Sequence, residues 1–332
     1  TFTLIANVTC LNAACGPVLG LARYNSSGTV ANKSIEAKAK LKNGKSSGNQ
    51  SLKPLFIFNG SDDGGNQLWS YNATLGGSEV ARGVAVDSND NIIVVGYAQN
   101  TNWDWNVTKL NSNGAQLWSY EANLGVGDAA WGVAVDSADN IIVVGRDQST
   151  NNNWNVTKLN SNGAQLWSYE VNLGGSDEAY GVAVDSNDNI IVVGYAGGGA
   201  DWNVTKLNSN GNQLWSYKAN LGGNDAARGV AVDSNDNIIV VGNGATDWNV
   251  TKLNPNGNQL WSYNATLGGS DAANGVAIDS NDNIIVVGRA GNTNYDWNVT
   301  KLNSNGAQLW SYEANLGGND EAYGVAVDSN DN

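Results

Sequence analysis

A repeat of about 48 residues, four β-type segments in every copy and no stretch of helical period together predict an all-β chain. The expected architecture is a β-propeller of four-stranded blades, six-bladed, preceded by an N-terminal β-hairpin arm. QLWSY recurs with its indole at Trp69, Trp118, Trp167, Trp215, Trp261 and Trp310. GVAVDS, once GVAIDS, starts at Gly83, Gly132, Gly181, Gly229, Gly275 and Gly324. Units that repeat at this period stack, because none can bury its own faces alone.

Within a unit, GVAVD is small and β-branched, which suits a crowded inner strand A. The turn SNDN leads into IIVVG, a continuous apolar run covered on both faces and therefore strand B. A loop of variable length precedes WNVTKLN, strand C. The turn SNG then leads into QLWSYEANL, strand D. The domain boundary falls between a basic arm, residues 1–53, and the propeller, residues 54–332.

The sequence LGGSDEAYGVAVDSNDNIIVVGYA, followed by DWNVTKLNSNGNQLWSY, resembles the secreted β-propeller repeats of bacterial and archaeal surface proteins known as SBBP repeats. The resemblance spans roughly residues 55–332 and implies a propeller in an extracellular setting; it implies no single activity. NGAQLW also resembles the G-x-x-x-W docking motif of quinoprotein propellers, in which a strand-D Trp packs on the neighbouring blade. That similarity assigns the six QLWSY tryptophans to packing. The Trp before NVT (Trp105, Trp154, Trp202, Trp248 and Trp297) is constant and is read as packing too.

Six A strands give six blades, and the sequence reaches Asn332 where strand B of the sixth would begin. LFIFNGSDDGGNQLWSY supplies strands C and D of a blade with no A or B before it, so the C-terminal strand A is expected beside them. IEAKAKLK, residues 35–42, alternates apolar and charged side chains and is a candidate for the missing strand B. The alternative is a longer chain that continues with IIVVG. TFTLIANVT and PVLGLARY read as a hairpin too small to stand alone. It packs either on its own propeller or on another copy, where strand donation would build a head-to-tail filament.

The charge is segregated. Residues 1–60 hold seven cations and one acid, and the remainder ten cations and thirty acids. An acidic body repels nucleic acid, so none is expected as a partner; the arm's natural complement is the acidic body of the same or a second copy. No apolar run approaches the ~20 residues of a membrane span, and no membrane insertion of the mature chain is expected. Met is absent, from which removal of an initiator and a signal peptide is expected. Cys10 and Cys15 in CLNAAC are read as a small-loop disulfide of an oxidising compartment, with inert free thiols as the alternative. Localisation at the cell surface or outside the cell follows.

The chain contains no His, so the usual general base is missing and no catalytic residue is assigned. Asp87, Asp136, Asp185, Asp233, Asp279 and Asp328 occupy equivalent positions and are read as structural. DSNDN offers oxygens at alternating positions as calcium loops do, yet lacks their Gly and distal Glu. The turn reading is preferred, and no metal or cofactor is expected. Sequons suited to glycosylation lie at Asn7, Asn25, Asn32, Asn49, Asn59, Asn72 and Asn264; the five NVT copies fall inside strand C.

The repeats differ at two places. The residue before GVAVD is Arg82, Trp131, Tyr180, Arg228, Asn274 or Tyr323. The residue after IIVVG is Tyr97, Arg146, Tyr195, Asn243 or Arg289. In a four-stranded blade both places share one face of the disc. Arg, Tyr and Trp are preferred at recognition hot spots, so this face is the candidate for a ligand or partner; loop drift is the bland alternative. The expected function is a non-enzymatic structural or adhesive protein, displayed on a cell surface or assembled into a filament through its arm. A glycan-binding, lectin-like propeller is the alternative, and an extracellular hydrolase has least support.

Overall fold

A computed structural model gives the fold. It describes the backbone of strands Phe2–Ile5, Arg23–Tyr24, Ser34–Ala39 and Phe56–Ser61, and residues 67–73, 77–99, 102–148, 152–197, 201–291, 294–315, 317–328 and 331. Five antiparallel four-stranded sheets follow one another as blades 1 to 5. Blade 1 comprises strands A to D at Glu79–Val86, Ile92–Gln99, Trp103–Leu110 and Gln116–Ala122. Blades 2 to 5 begin at Ala129, Glu178, Ala226 and Ala272 and repeat that order. No helix among the described residues is long and apolar enough to cross a membrane.

Consecutive A strands lie side by side around an axis. Their glycines allow it: a Cβ on Gly83 would sit 2.9 Å from the Trp131 carbonyl of the next blade. At the four seams between blades 1 to 5, facing residues of consecutive IIVV runs meet one another and the strand-C Trp of the earlier blade. Burying these β-branched faces pairwise is the main apolar contribution to the fold, and no blade achieves it alone.

The segment 322–328 supplies a sixth inner position. Asn274 Nδ2 donates to the Ala322 carbonyl at 3.0 Å, and a Cβ on Gly275 would meet the Tyr323 carbonyl at 2.8 Å. Residues of all six inner segments, among them Val84, Val133, Val182, Val230, Val276 and Val325, line one axial cavity of about 150 Å³.

At the N-terminus, Ser34–Ala39 pairs antiparallel with Phe56–Ser61, matching Ala37 with Phe58, so it takes the strand-B place that its alternation suggested. The strand-A place differs from expectation. Phe2–Ile5 lies parallel to Ser34–Ala39 and pairs antiparallel with Arg23–Tyr24. With both edges of Ser34–Ala39 filled, the C-terminal segment has no ladder to join there, and 319–328 carries no strand assignment. Trp69 and Tyr71 of this sheet pack on blade 1 against Val84, Ile92, Val94 and Leu110. Cys10, Cys15, Asn7, Asn25, Asn32 and Asn49 lie outside the described residues.

Candidate functional site

The constant turns build one face of the disc. In blade 3, Asp185 Oδ1 accepts from the Asn187 and Asn189 backbone N–H at 2.9 and 2.8 Å. Its Oδ2 accepts from Asn189 Nδ2 at 2.9 Å and pairs with Lys206 of strand C at 2.8 Å. Lys206 reaches on to the Pro255 carbonyl of the next blade at 3.2 Å. Burial pushes this carboxyl up, yet the Lys206 and Asn189 donors outweigh it and hold the group below the usual range. Asp87, Asp136, Asp233 and Asp279 behave alike, Asp279 falling to about 2. These oxygens, candidate calcium ligands by spacing, are occupied by N–H donors and a lysine.

The fourth turn residue adds a seam between blades. Asp139 and its equivalents Asp188, Asp236 and Asp282 have φ near +60°, a conformation Asp tolerates better than most residues. There Asp139 accepts from the Ser88 backbone N–H at 2.8 Å and from Ser88 Oγ at 2.6 Å, both in the preceding blade. On the same side, Gly163 has φ +84°, and a Cβ there would stand 2.9 Å from the Trp118 ring. Trp118 Nε1 donates to the Ser161 carbonyl at 3.1 Å. Trp69, Trp167, Trp215 and Trp261 dock in the same way.

Trp105, Trp154, Trp202 and Trp248 are wholly buried, and each donates to the carbonyl of the residue after IIVVG in the next blade, at 2.7 to 2.9 Å. The strand-C asparagines are buried as well: Asn155, for one, accepts from Thr157 Oγ1 at 2.9 Å. Of the sequons outside strand C, Asn72 and Asn264 are exposed, and Asn59 lies on strand Phe56–Ser61.

The opposite face carries the variable positions, and a residue not singled out from sequence fixes its frame. Asp128 accepts from Leu124 and Gly125 N–H in the D–A loop, at 2.6 and 2.7 Å, and from Gln148 N–H in the B–C loop at 2.9 Å. Asp177, Asp225 and Asp271 tie the same two loops in their blades. The signal was present in the repeat as an acidic position, Glu79 in the first copy and Asp in the others, but its partners about 20 residues away were not legible.

On this frame the variable side chains gather at the mouth of the axial channel. Trp131, Tyr180, Arg228, Asn274 and Tyr323 all line it. The Arg82 guanidinium lies 4.4 Å from the Trp131 ring and 5.5 Å from Tyr97, whose hydroxyl accepts from Arg82 at 3.0 Å. Trp131 meets Tyr180 edge-on at 5.6 Å, and Tyr180 meets Tyr195 at 5.8 Å. Arg146 pairs with Glu178 across the seam of blades 2 and 3, and Arg289 pairs with Glu321 at the seam of blade 5 and the sixth segment. Tyr323 donates to Glu321. Burial, with Glu178 next, pushes the Tyr195 hydroxyl up to about 12, and burial raises Tyr180 and Tyr323 as well.

Part of the variation therefore serves packing. At their repeat position, Glu178 and Glu321 occur only where the preceding blade has Arg after IIVVG, a co-occurrence readable from the repeats themselves. All four arginines after residue 60 stand on this face, at Arg82, Arg146, Arg228 and Arg289, whereas the lysines of strand C brace the blades.

A domain of unknown function described as a β-propeller (DUF5122) matches residues 88–116. A protein of unknown function from Bacteroides caccae is 15% identical with a TM-score of 0.53, over 78% of this chain and 90% of its own. The periplasmic gluconolactonase of Pseudomonas aeruginosa is 12% identical with a TM-score of 0.55, over 83% and 81%. The WD40 domain of Neurospora crassa Pan2 is 13% identical with a TM-score of 0.51, over 71% and 66%. No curated protein matches. The fold is a β-propeller. Identities this low speak for fold alone, because propellers host many unrelated activities.

Proposed function

We propose that this protein is a non-enzymatic, extracellular propeller of the SBBP-repeat kind, structural or adhesive in role, which meets its partner through the channel-mouth face. The observation that carries the reading is the gathering of Arg82, Trp131, Tyr180, Arg228 and Tyr323 at one opening, on loops held by Asp128, Asp177, Asp225 and Asp271. Rigid aromatic and Arg side chains on a braced frame give contact area at little entropic cost.

The chain has no His, and the described DSNDN carboxylates are engaged by lysines and turn N–H groups. Asp104 is held above its ordinary value by burial and then by Glu121 and Asp128. No base faces it. Replacing Trp131, Tyr180 and Tyr323 together by Ser, with the melting temperature monitored, is expected to abolish attachment to cell-surface or glycan preparations. Unchanged attachment would overturn the reading.

Assembly through the N-terminal strands is a second reading, favoured by the outer flank of blade 5. Trp310 and Tyr312 are 47% and 59% exposed, where their counterparts dock on a next blade. Trp297 Nε1 has no acceptor among the described residues. In the repeat register, Gly65 and Gln67 match Gly114 and Gln116, which receive Trp69 and Tyr71. Deleting residues 1–50 is expected to change oligomer size in sedimentation; an unaltered profile would remove this reading.

A further inference from the structure

We propose that Arg228 forms a carboxylate-binding site at the channel mouth, which takes the acidic sugar at the end of a uronic-acid saccharide. This inference rests on the recognition role of that face and names its ligand class.

Three of the four arginines on the face are accounted for. Arg82 lies over Trp131 and bonds to Tyr97; Arg146 is paired with Glu178; Arg289 is paired with Glu321. Arg228 differs. Its one hydrogen bond among the described residues runs from Nε to Asn243 Oδ1 at 3.2 Å, and no carboxylate there lies within ion-pair distance. The side chain is part-buried and lines the axial cavity. Glu321 acts on it from further off but is already held by Arg289 and Tyr323.

A guanidinium does not escape this position by losing its proton, because its acidity is too low. Burial nonetheless disfavours its charge, and Arg289 adds repulsion. In a chain of net charge −14, a part-buried cation without a counter-ion has a place open for one. With Nε engaged, the two terminal nitrogens remain as a planar fork, which matches the two oxygens of a carboxylate.

The walls select the rest of the ligand. Tyr180, Tyr323 and Trp131 line the same opening and bring aromatic carbon to it, the Tyr323 hydroxyl being held by Glu321 and the Trp131 ring lying under Arg82. A pyranose offers the complementary pair: C–H faces for the aromatic carbon and hydroxyls that can donate to Asn274 Oδ1, whose Nδ2 is held by the Ala322 carbonyl. A simple inorganic anion would use the Arg and leave the aromatic wall without contact.

The test is isothermal titration of the full chain with D-glucuronate, D-glucose and acetate, against the parent, Arg228→Gln and Arg228→Lys, each checked by melting temperature. Glucuronate is expected to bind, with glucose and acetate each at least about tenfold weaker. Arg228→Gln is expected to weaken glucuronate at least about tenfold, and Arg228→Lys severalfold, since Lys keeps the charge and loses the fork. If Arg228→Gln fails to fold, Arg228→Lys decides, and undiminished binding there overturns the site. Absence of glucuronate binding, or acetate binding as tightly, overturns the saccharide assignment. Surface attachment lost in the Trp131, Tyr180 and Tyr323 variant but unaltered in Arg228→Gln would refute this site and leave the adhesive role standing.

Discussion

Removing Asp185 tests whether the repeated Lys–Asp pair holds the blades. Lys206 is 4% exposed and Asp185 1%, their charged atoms 2.8 Å apart. Breaking a buried pair from one side leaves a bare charge, typically a loss of about 3–5 kcal/mol. Asp185→Ala leaves Lys206 with the Pro255 carbonyl alone and frees the N–H groups of Asn187 and Asn189. The expected loss lies in that range. Lys206→Met leaves Asp185 with its turn donors, so its loss should be smaller, about 1–3 kcal/mol. The double variant should fall well short of the sum, because each single change already removes the shared contact. Urea denaturation at constant m-value reads all three. A loss below about 1 kcal/mol for Asp185→Ala, or strict additivity in the double variant, would refute the reasoning.

Acid should act through the same groups. Their folded pKa values lie below the unfolded ones, so their stabilisation is present above the unfolded value. It is lost as pH falls through the folded values, down to about 2 for Asp279; urea midpoints that stay level from pH 5 to pH 2 would contradict this. At the other extreme, absorbance titration should find Tyr195 ionising near 12, and Glu178→Gln should lower that value; a normal tyrosine titration would count against the packed mouth. Stability that Tyr195 contributes below its unfolded pKa should disappear as pH rises toward 12. Gly211→Ala should cost about 1–3 kcal/mol, because a Cβ meets the Trp167 ring at 2.9 Å and φ is +83°; a neutral result in thermal melting would deny the docking. Trp154→Phe removes a donor to the Tyr195 carbonyl, whereas Trp297→Phe removes an N–H with no acceptor among the described residues, so the first should lower the melting temperature more.

Local patterns were legible because their causes are local. Continuous apolar runs marked IIVV as a strand covered on both sides, and Asn-Gly marked the turn whose Gly163 adopts φ +84°. The constancy of Trp154 announced packing, and its burial follows. Less was legible where one side chain answers another across a seam. Ser137 bonds Asp188, 51 residues on, and Asp188 reads in sequence as turn chemistry only. Arg146 reads as a ligand-face residue, while its contact with Glu178 is also structural.

By itself the amino-acid sequence determined the repeat, the four strands of each unit and which residues differ between units, since alternation, turn residues and periodicity act over a few neighbours. Only the tertiary structure decided which differing residues meet around the axis. Arg228 and Tyr180 become neighbours because adjacent blades set their inner strands side by side, a relation of curvature that no single repeat contains.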